Sequence, residues 1–247
     1  MGKSKLNKIL EVGCGQGFVS YCLSRDNRNK VIGIDISKED LEIAQKRYPQ
    51  VDFRYTNAEH LPFNDETFDQ IYSFDVLEHV HNLHKVLEEI VRVLKKDGKI
   101  ILNVPAKRSE QWLLKIRPTY FKEIHHVRIF ENNELETILS RYHLIMKKKK
   151  NKGFLQHIEF YYLFKVVKNS KGQLGIGNWR DHSMTMILHI LMIFFDPTIL
   201  HVPLRLLPPK MWLPFPMWFF TFPVGFAVNF LGDKVFPKSI FYEFEKT

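Results

Sequence analysis

The sequence is poor in the residues that staple small folds. Only two cysteines, Cys14 and Cys22, stand among 247 residues. That is too few for a disulfide framework, and they lack the paired spacing of a zinc knuckle. Such usage fits a reducing, cytosolic setting. The N-terminal segment MGKSKLNKILEVG has too short an apolar run for a secretory signal peptide. No internal repeat or low-complexity linker occurs, and apolar and charged fractions of 45% and 26% exclude a disordered chain. Acid is in deficit. Against 36 Lys and Arg stand 27 Asp and Glu, a formal charge of +9 that suggests nucleic acid, anionic lipid or an acidic substrate as partner. One long stretch, MWLPFPMWFFTFPVGFAVNFLG at 211–232, has no charge at all.

What is present is an alternation. KILEV, VIGID, VDFRY, FDQIYSF and KIILNVP are short and rich in Val, Ile and aromatics, and predict strands. ISKEDLEIAQKRY and NLHKVLEEIVRVLKK predict helices between them. In the second, Leu83, Val86, Leu87, Ile90 and Leu94 recur at helical spacing behind a capping Asn82, and Asp97-Gly98 supplies the following turn. Strands alternating with helices imply an α/β fold: a Rossmann-like, doubly wound, mostly parallel sheet with helices on both faces.

EVGCGQG, residues 11–17, stands at the handover from the first strand to its helix, where such sheets bind ligands. Glycine is required where the backbone takes positive φ or a ligand approaches closely. A dinucleotide loop, G-x-G-x-x-G, needs glycine at position 18, which is Phe18 here, so the loop suits close approach better than a pyrophosphate. VIGID ends in Asp35, placed to accept from the two hydroxyls of a ribose. The competing role, capping the next helix, can be filled by Ser37.

With these motifs the sequence resembles the class I S-adenosylmethionine-dependent methyltransferases, most closely the small-molecule group that includes quinone methyltransferases. The resemblance rests on EVGCGQG, IGIDIS, NAEHLPFNDETFDQIYSFDVLEHV and LKKDGKIILNVP, in order, over residues 8–145, with RIFENNELETILSRYHL as the helix after the fifth strand. It implies S-adenosylmethionine as cofactor. Glu11 and the loop Gly13, Cys14, Gly15 and Gly17 would lie against the methionine portion, Asp35 would hold the ribose and Ile36 would pack on the adenine. Asn57-Ala58 stands where the family commonly has Asp-Ala, and the Asn57 carbonyl can still accept from the adenine amino group. Phe74 would flank the donor methyl. Ala58 and Phe74 also suit a purely core role.

Methyl transfer from a sulfonium depends mostly on alignment. A general base matters when the acceptor is a phenol, an enol or a protonated amine. The histidine candidates are His79, His81, His125 and His126, with His79 and His126 the expected proton-transfer residues. Asp75, Glu78 and His79, spaced i, i+3, i+4, would share one side of a helical turn. Quinone O-methyltransferases with a similar run bind a divalent metal there, but the LEH triplet is widespread in relatives not known to need metal. No metal is therefore expected, a pocket-lining or structural role is, and Asp75, Glu78 and His79 are only the candidates should one bind.

The division expected from composition is a cofactor-binding core over 1–150 and an apolar, helical extension over 151–247. FLQHIEFYYLFKVV at 154–167 is ambiguous between strand and helix. Read as helix, it leaves the sheet's last hairpin incomplete. The 211–232 run is long enough to span a bilayer but is broken by Pro214, Pro216 and Pro223. With its tryptophans and phenylalanines, residues 183–232 are expected to dip into a membrane from one side, the alternatives being a true span or a buried lid or oligomer interface. KKKKNK at 147–152, Arg205 and Lys210 would face anionic headgroups, or else form an ordinary solvated segment. Only ten residues precede EVGCGQG, so either a segment before them is missing or something else closes the site, for which the tail is the expected candidate. The function expected is methyl transfer to a lipid-like or other hydrophobic small molecule at the cytoplasmic face of a membrane. The alternatives are an RNA methyltransferase, disfavoured by the absence of an aromatic-interleaved basic patch, and a non-catalytic partner subunit.

Overall fold

The structure is a computed structural model that describes residues 6–152 and 231–247. Four strands lie where the β-rich runs predict them: β1 (Asn7–Val12), β2 (Asn29–Asp35), β3 (Asp52–Tyr55) and β4 (Phe68–Phe74). All pair in parallel, in the order β3-β2-β1-β4. Helices α1 (Phe18–Ser24) and α2 (Lys38–Arg47) connect the first three. The period of two in β1 sends Ile9 to one face and Leu10 and Val12 to the other. Ile9 and Val31 meet Cys22 and Leu23 of α1 on the first face. Leu10, Val12 and Ile34 join the main core with α3 (Leu83–Val93) on the second. Helices thus cover both faces, as parallel strands require.

The Asn82 side chain caps α3 by accepting from the Lys85 N–H. Val86, Leu87 and Ile90 are fully buried, each contributing about 1.5–3 kcal/mol. The helix stops just short of Leu94, whose extended backbone opens β5 (Leu94–Pro105). The turn at Asp97-Gly98 becomes an irregularity within that strand: Phe68 pairs with Leu94, and the next pair is Gln70 with Lys99. Asp97 takes φ +59° there, a conformation aspartate tolerates. After β5 come α4 (Lys107–Ile116), α5 (Tyr120–Ile124) and α6 (Glu134–Ser140).

The far edge of the sheet corrects two expectations. It continues β5-β7-β6, with β6 (Leu144–Lys152) at the edge and β7 (Ser239–Lys246) antiparallel to both neighbours. The hairpin expected to be incomplete is closed by the end of the chain. SIFYEFEK alternates as a strand should: Tyr242 and Phe244 enter the core, while Glu243 takes an ion pair from Lys99. Residues 239–246 therefore belong to the core sheet and not to a separate 151–247 extension. The basic run forms edge strand β6, where lysines discourage pairing with another sheet. Lys149 contacts Glu136 at 2.6 Å and Lys147 lies 3.7 Å from Glu245, while Lys148 and Lys150 are exposed. Residues 154–167, 184–195 and 211–230, with the helical and membrane expectations placed on them, lie outside the described residues. Among the described residues no helix is long and apolar enough to cross a membrane.

Candidate functional site

The loop between β1 and α1 puts Gly13, Gly15 and Gly17 all at positive φ. At Gly15 a Cβ would meet nothing within 4 Å, so this glycine opens onto free space. At Gly13 a Cβ would come within 2.2 Å of Val76 Cγ2. The glycine there lets the loop after β4 press directly on the loop after β1. Phe18, in place of a third dinucleotide glycine, packs on the α1-side core.

Asp35 ends β2 beside this loop. Its Oδ2 accepts from the Gly15 N–H at 2.7 Å and its Oδ1 from the Ser37 N–H at 2.9 Å. Ser37 caps α2 by accepting from the Asp40 N–H, so Asp35 is not needed as a cap. Each Asp35 oxygen keeps a lone pair for a further donor. Ile36 next to it is 68% exposed, an apolar surface ready for a flat ring. The Asn57 Oδ1 accepts from the Glu59 N–H at 2.9 Å, which fixes the amide and leaves one lone pair. Ala58 is part of the main core. Phe74 packs edge-on against Tyr72. Glu11 is buried beneath the loop and accepts from the Ser20 hydroxyl. Burial pushes its carboxyl up to about 8, so it supports the loop from below. The Cys14 thiol is raised as well, by burial, and is no nucleophile at neutral pH.

The second half of the site lies just past Val76. Asp75 takes φ +54°. Its N–H donates to the Asn103 carbonyl and its Oδ1 accepts from the Asn103 side chain at 2.8 Å. The segment after α5 is strapped onto this turn: the Val127 N–H donates to the Glu78 carbonyl at 2.9 Å and Arg128 Nη2 to that of His81. The strap sets His126 against His79, ring centroids 4.6 Å apart. His79 Nδ1 lies 3.2 Å from the His125 carbonyl, and His126 Nδ1 lies 2.6 Å from Glu110 Oε2. Both acceptors fix the tautomer, with the hydrogen on Nδ1 and the lone pair on Nε2. Glu110 sits on α4 and takes a longer bond from the Tyr120 hydroxyl, 3.4 Å. Glu78 completes the group. It is 1% exposed, and neither carboxylate oxygen has a hydrogen-bond partner among the described residues. Burial, together with Asp75 and Glu110, pushes its carboxyl well above the usual range. Burial of the ring and the neighbouring His126 lower His79.

The expected proton-transfer residues His79 and His126 are therefore together. Of the three metal candidates, Asp75 accepts from Asn103, and it is His126 that lies with Glu78 and His79. His81 and His125 contribute only backbone carbonyls. Glu110 and Tyr120 were not legible as site residues. The available signal was that Glu110 shares the buried face of α4 with Leu113, three residues on.

A mostly parallel sheet ordered 3-2-1-4-5-7-6, with an open glycine loop and a carboxylate at the tip of β2, is a Rossmann-like fold with its loop at the end where such sheets bind ligands. The methyltransferase domain family matches residues 10–102. Residues 10–102 thus match a methyltransferase domain, and the likeness supports a class I S-adenosylmethionine-dependent domain with S-adenosylmethionine as its cofactor. The chain is 33% identical to a probable S-adenosylmethionine-dependent methyltransferase of Mycolicibacterium smegmatis, over 39% of its own length and 37% of the relative. It is 32% identical to a demethylmenaquinone methyltransferase of Chlorobaculum parvum, over 47% and 48%. The chain thus spans less than half the length of these two relatives. The YcgJ protein from Bacillus subtilis shares the fold, with a TM-score of 0.54 at 20% identity, over 98% of this chain and 92% of that one.

Proposed function

We propose that the chain transfers the methyl group of S-adenosylmethionine to a hydrophobic small molecule, such as a quinone, an isoprenoid or a lipid headgroup, at the cytoplasmic surface of a membrane. The observation that carries this reading is the contact of Val76 on Gly13, which sets a buried acid–base cluster beside an open cofactor loop. In it, the Asp35 carboxylate takes the ribose hydroxyls, Ile36 packs on the adenine and Asn57 accepts from its amino group. Gly13, Cys14, Gly15 and Gly17 line the methionine end over Glu11. Phe74, at the tip of β4, flanks the donor methyl. Alignment of acceptor, methyl and sulfur supplies most of the rate. The removal of any acceptor proton falls to the groups around His79 and His126.

A lipid-like acceptor agrees with the uncharged 211–232 run, with the exposed Ile145, Met146, Lys148 and Lys150 on β6, and with relatives that act on a quinone by name. Flotation tests it. Because β7 belongs to the core, the tail is probed by substitution and not by truncation. The full chain should float with vesicles containing anionic lipid. A variant with Trp212, Phe215, Trp218 and Phe219 changed to Ser should stay in the dense fraction. Equal flotation of both, or none for either, ends the membrane part of the proposal.

A further inference from the structure

The cluster beside the cofactor loop has the form of a metal site. Glu78 offers a carboxylate, and His79 and His126 each offer an imidazole nitrogen, with these ligand atoms all within 4.8 Å of one another. Glu78 Oε1 and His126 Nε2 are 3.9 Å apart. That is too long for a hydrogen bond. It is within the span of two metal–ligand bonds of about 2.1 Å each.

Three observations point into the same space. The first is the orphaned carboxylate: a fully buried group whose two oxygens have no partner among the described residues costs free energy unless something occupies its lone pairs. The second is the pair of tautomers. The His125 carbonyl and the Glu110 carboxylate each engage a histidine Nδ1, leaving both Nε2 lone pairs free. Imidazoles that bind metal nearly always donate their other nitrogen to a carbonyl or carboxylate in this way. The third is the strap from Val127 and Arg128, which fixes His126 against the Glu78 turn from a different part of the chain. The FDVLEH run would by itself suggest Asp75, but that carboxylate is engaged by Asn103.

We infer that Glu78, His79 and His126 bind one divalent transition-metal cation, with Glu110 and the His125 carbonyl orienting the two imidazoles. Two nitrogens and one carboxylate favour Zn²⁺, Fe²⁺ or Mn²⁺ over Mg²⁺ or Ca²⁺. Three protein ligands leave a position open. The inference deepens the proposed function and rests on it for the acceptor: the open position takes an acceptor hydroxyl, so the methylated atom is oxygen. Coordination acidifies that hydroxyl, and its proton leaves to solvent. The oxygen lone pair then forms the O–CH₃ bond as the S–CH₃ bond breaks, and the sulfonium takes back the electron pair as a neutral thioether.

Cobalt titration of the metal-stripped full chain, read by visible absorption and followed by zinc competition, tests the site. One equivalent of Co²⁺ should bind at micromolar or lower concentration. Glu78→Gln and His126→Gln should each weaken binding by about 100-fold or more, and Glu110→Gln by about 10- to 100-fold. Asp75→Asn should bind as the parent does. Glu78→Gln keeps the side-chain volume and introduces no charge, so it should fold. Calorimetry with S-adenosylmethionine on the same samples reports the cofactor site separately. Cofactor binding without stoichiometric Co²⁺ at about 100 µM, or Glu78→Gln and His126→Gln binding Co²⁺ like the parent, overturns the metal site and leaves the methyltransferase reading standing. Absence of cofactor binding overturns that reading, whatever the metal does.

Discussion

Asp35→Ala should weaken S-adenosylmethionine binding by at least about 100-fold while leaving the chain folded. Asp35 is placed to accept from two ribose hydroxyls, and a hydrogen bond to a charged group is worth about 1.5–3 kcal/mol. Losing two such bonds costs about 3 kcal/mol or more, and 1.4 kcal/mol is a factor of ten. The same change releases the Gly15 N–H, which the carboxylate holds at 2.7 Å. The empty loop then samples more conformations and must be ordered again on binding. Ser37 keeps its own cap on α2, so the helix is spared. Asp35→Asn, retaining one accepting oxygen, should fall between. Calorimetry measures all three. An alanine variant within about threefold of the parent would remove Asp35 from the cofactor site.

The second large effect belongs to the end of the chain. Phe244→Ala should destabilise the protein by about 3–5 kcal/mol, a large share of the roughly 5–15 kcal/mol that hold a domain together. Phe244 is fully buried, stacked near Tyr242 in the same core that holds Ile90 and Leu139. β7 also satisfies the backbone of β5 along Lys99–Pro105. A chain ending at residue 238 would leave that row of groups unpaired and should not fold. Urea unfolding of the Phe244 variant decides the matter. A loss below about 1 kcal/mol would mean the last strand is dispensable.

That strand also shows where sequence reading stops. β1 to β4 are legible because each is a short run whose neighbours in sequence are its neighbours in the sheet or one crossover away. β7 pairs with β5 and β6 across a long intervening segment whose apolar composition draws attention from the plain alternation of SIFYEFEK. Local pattern reports a strand, but not which edge it will join. The site divides in the same way. Its cofactor half is legible because Gly13, Gly15, Gly17 and Asp35 are placed by one β-α-β unit. The cluster draws on three separate stretches. Glu78 and His79 follow β4, Glu110 sits on α4, and His126 follows α5. The histidines could be named, but the spacing of FDVLEH put Asp75 beside them. The backbone instead turns at Asp75 with positive φ, so no regular helical turn begins there, and the acid finds Asn103. No local motif marks the two helices that deliver Glu110 and His126, and tertiary packing places them.

Isotope labelling tests whether the chain methylates a hydrophobic acceptor. The full chain is incubated with a total lipid extract of its source cells and S-adenosylmethionine carrying a deuterated methyl group, and the organic and aqueous phases are analysed by mass spectrometry. The expected result is a hydrophobic product bearing the intact deuterated methyl, formed by the parent protein and lost with Asp35→Ala. Label that stays in the cofactor, or that enters only added RNA or protein, would contradict it.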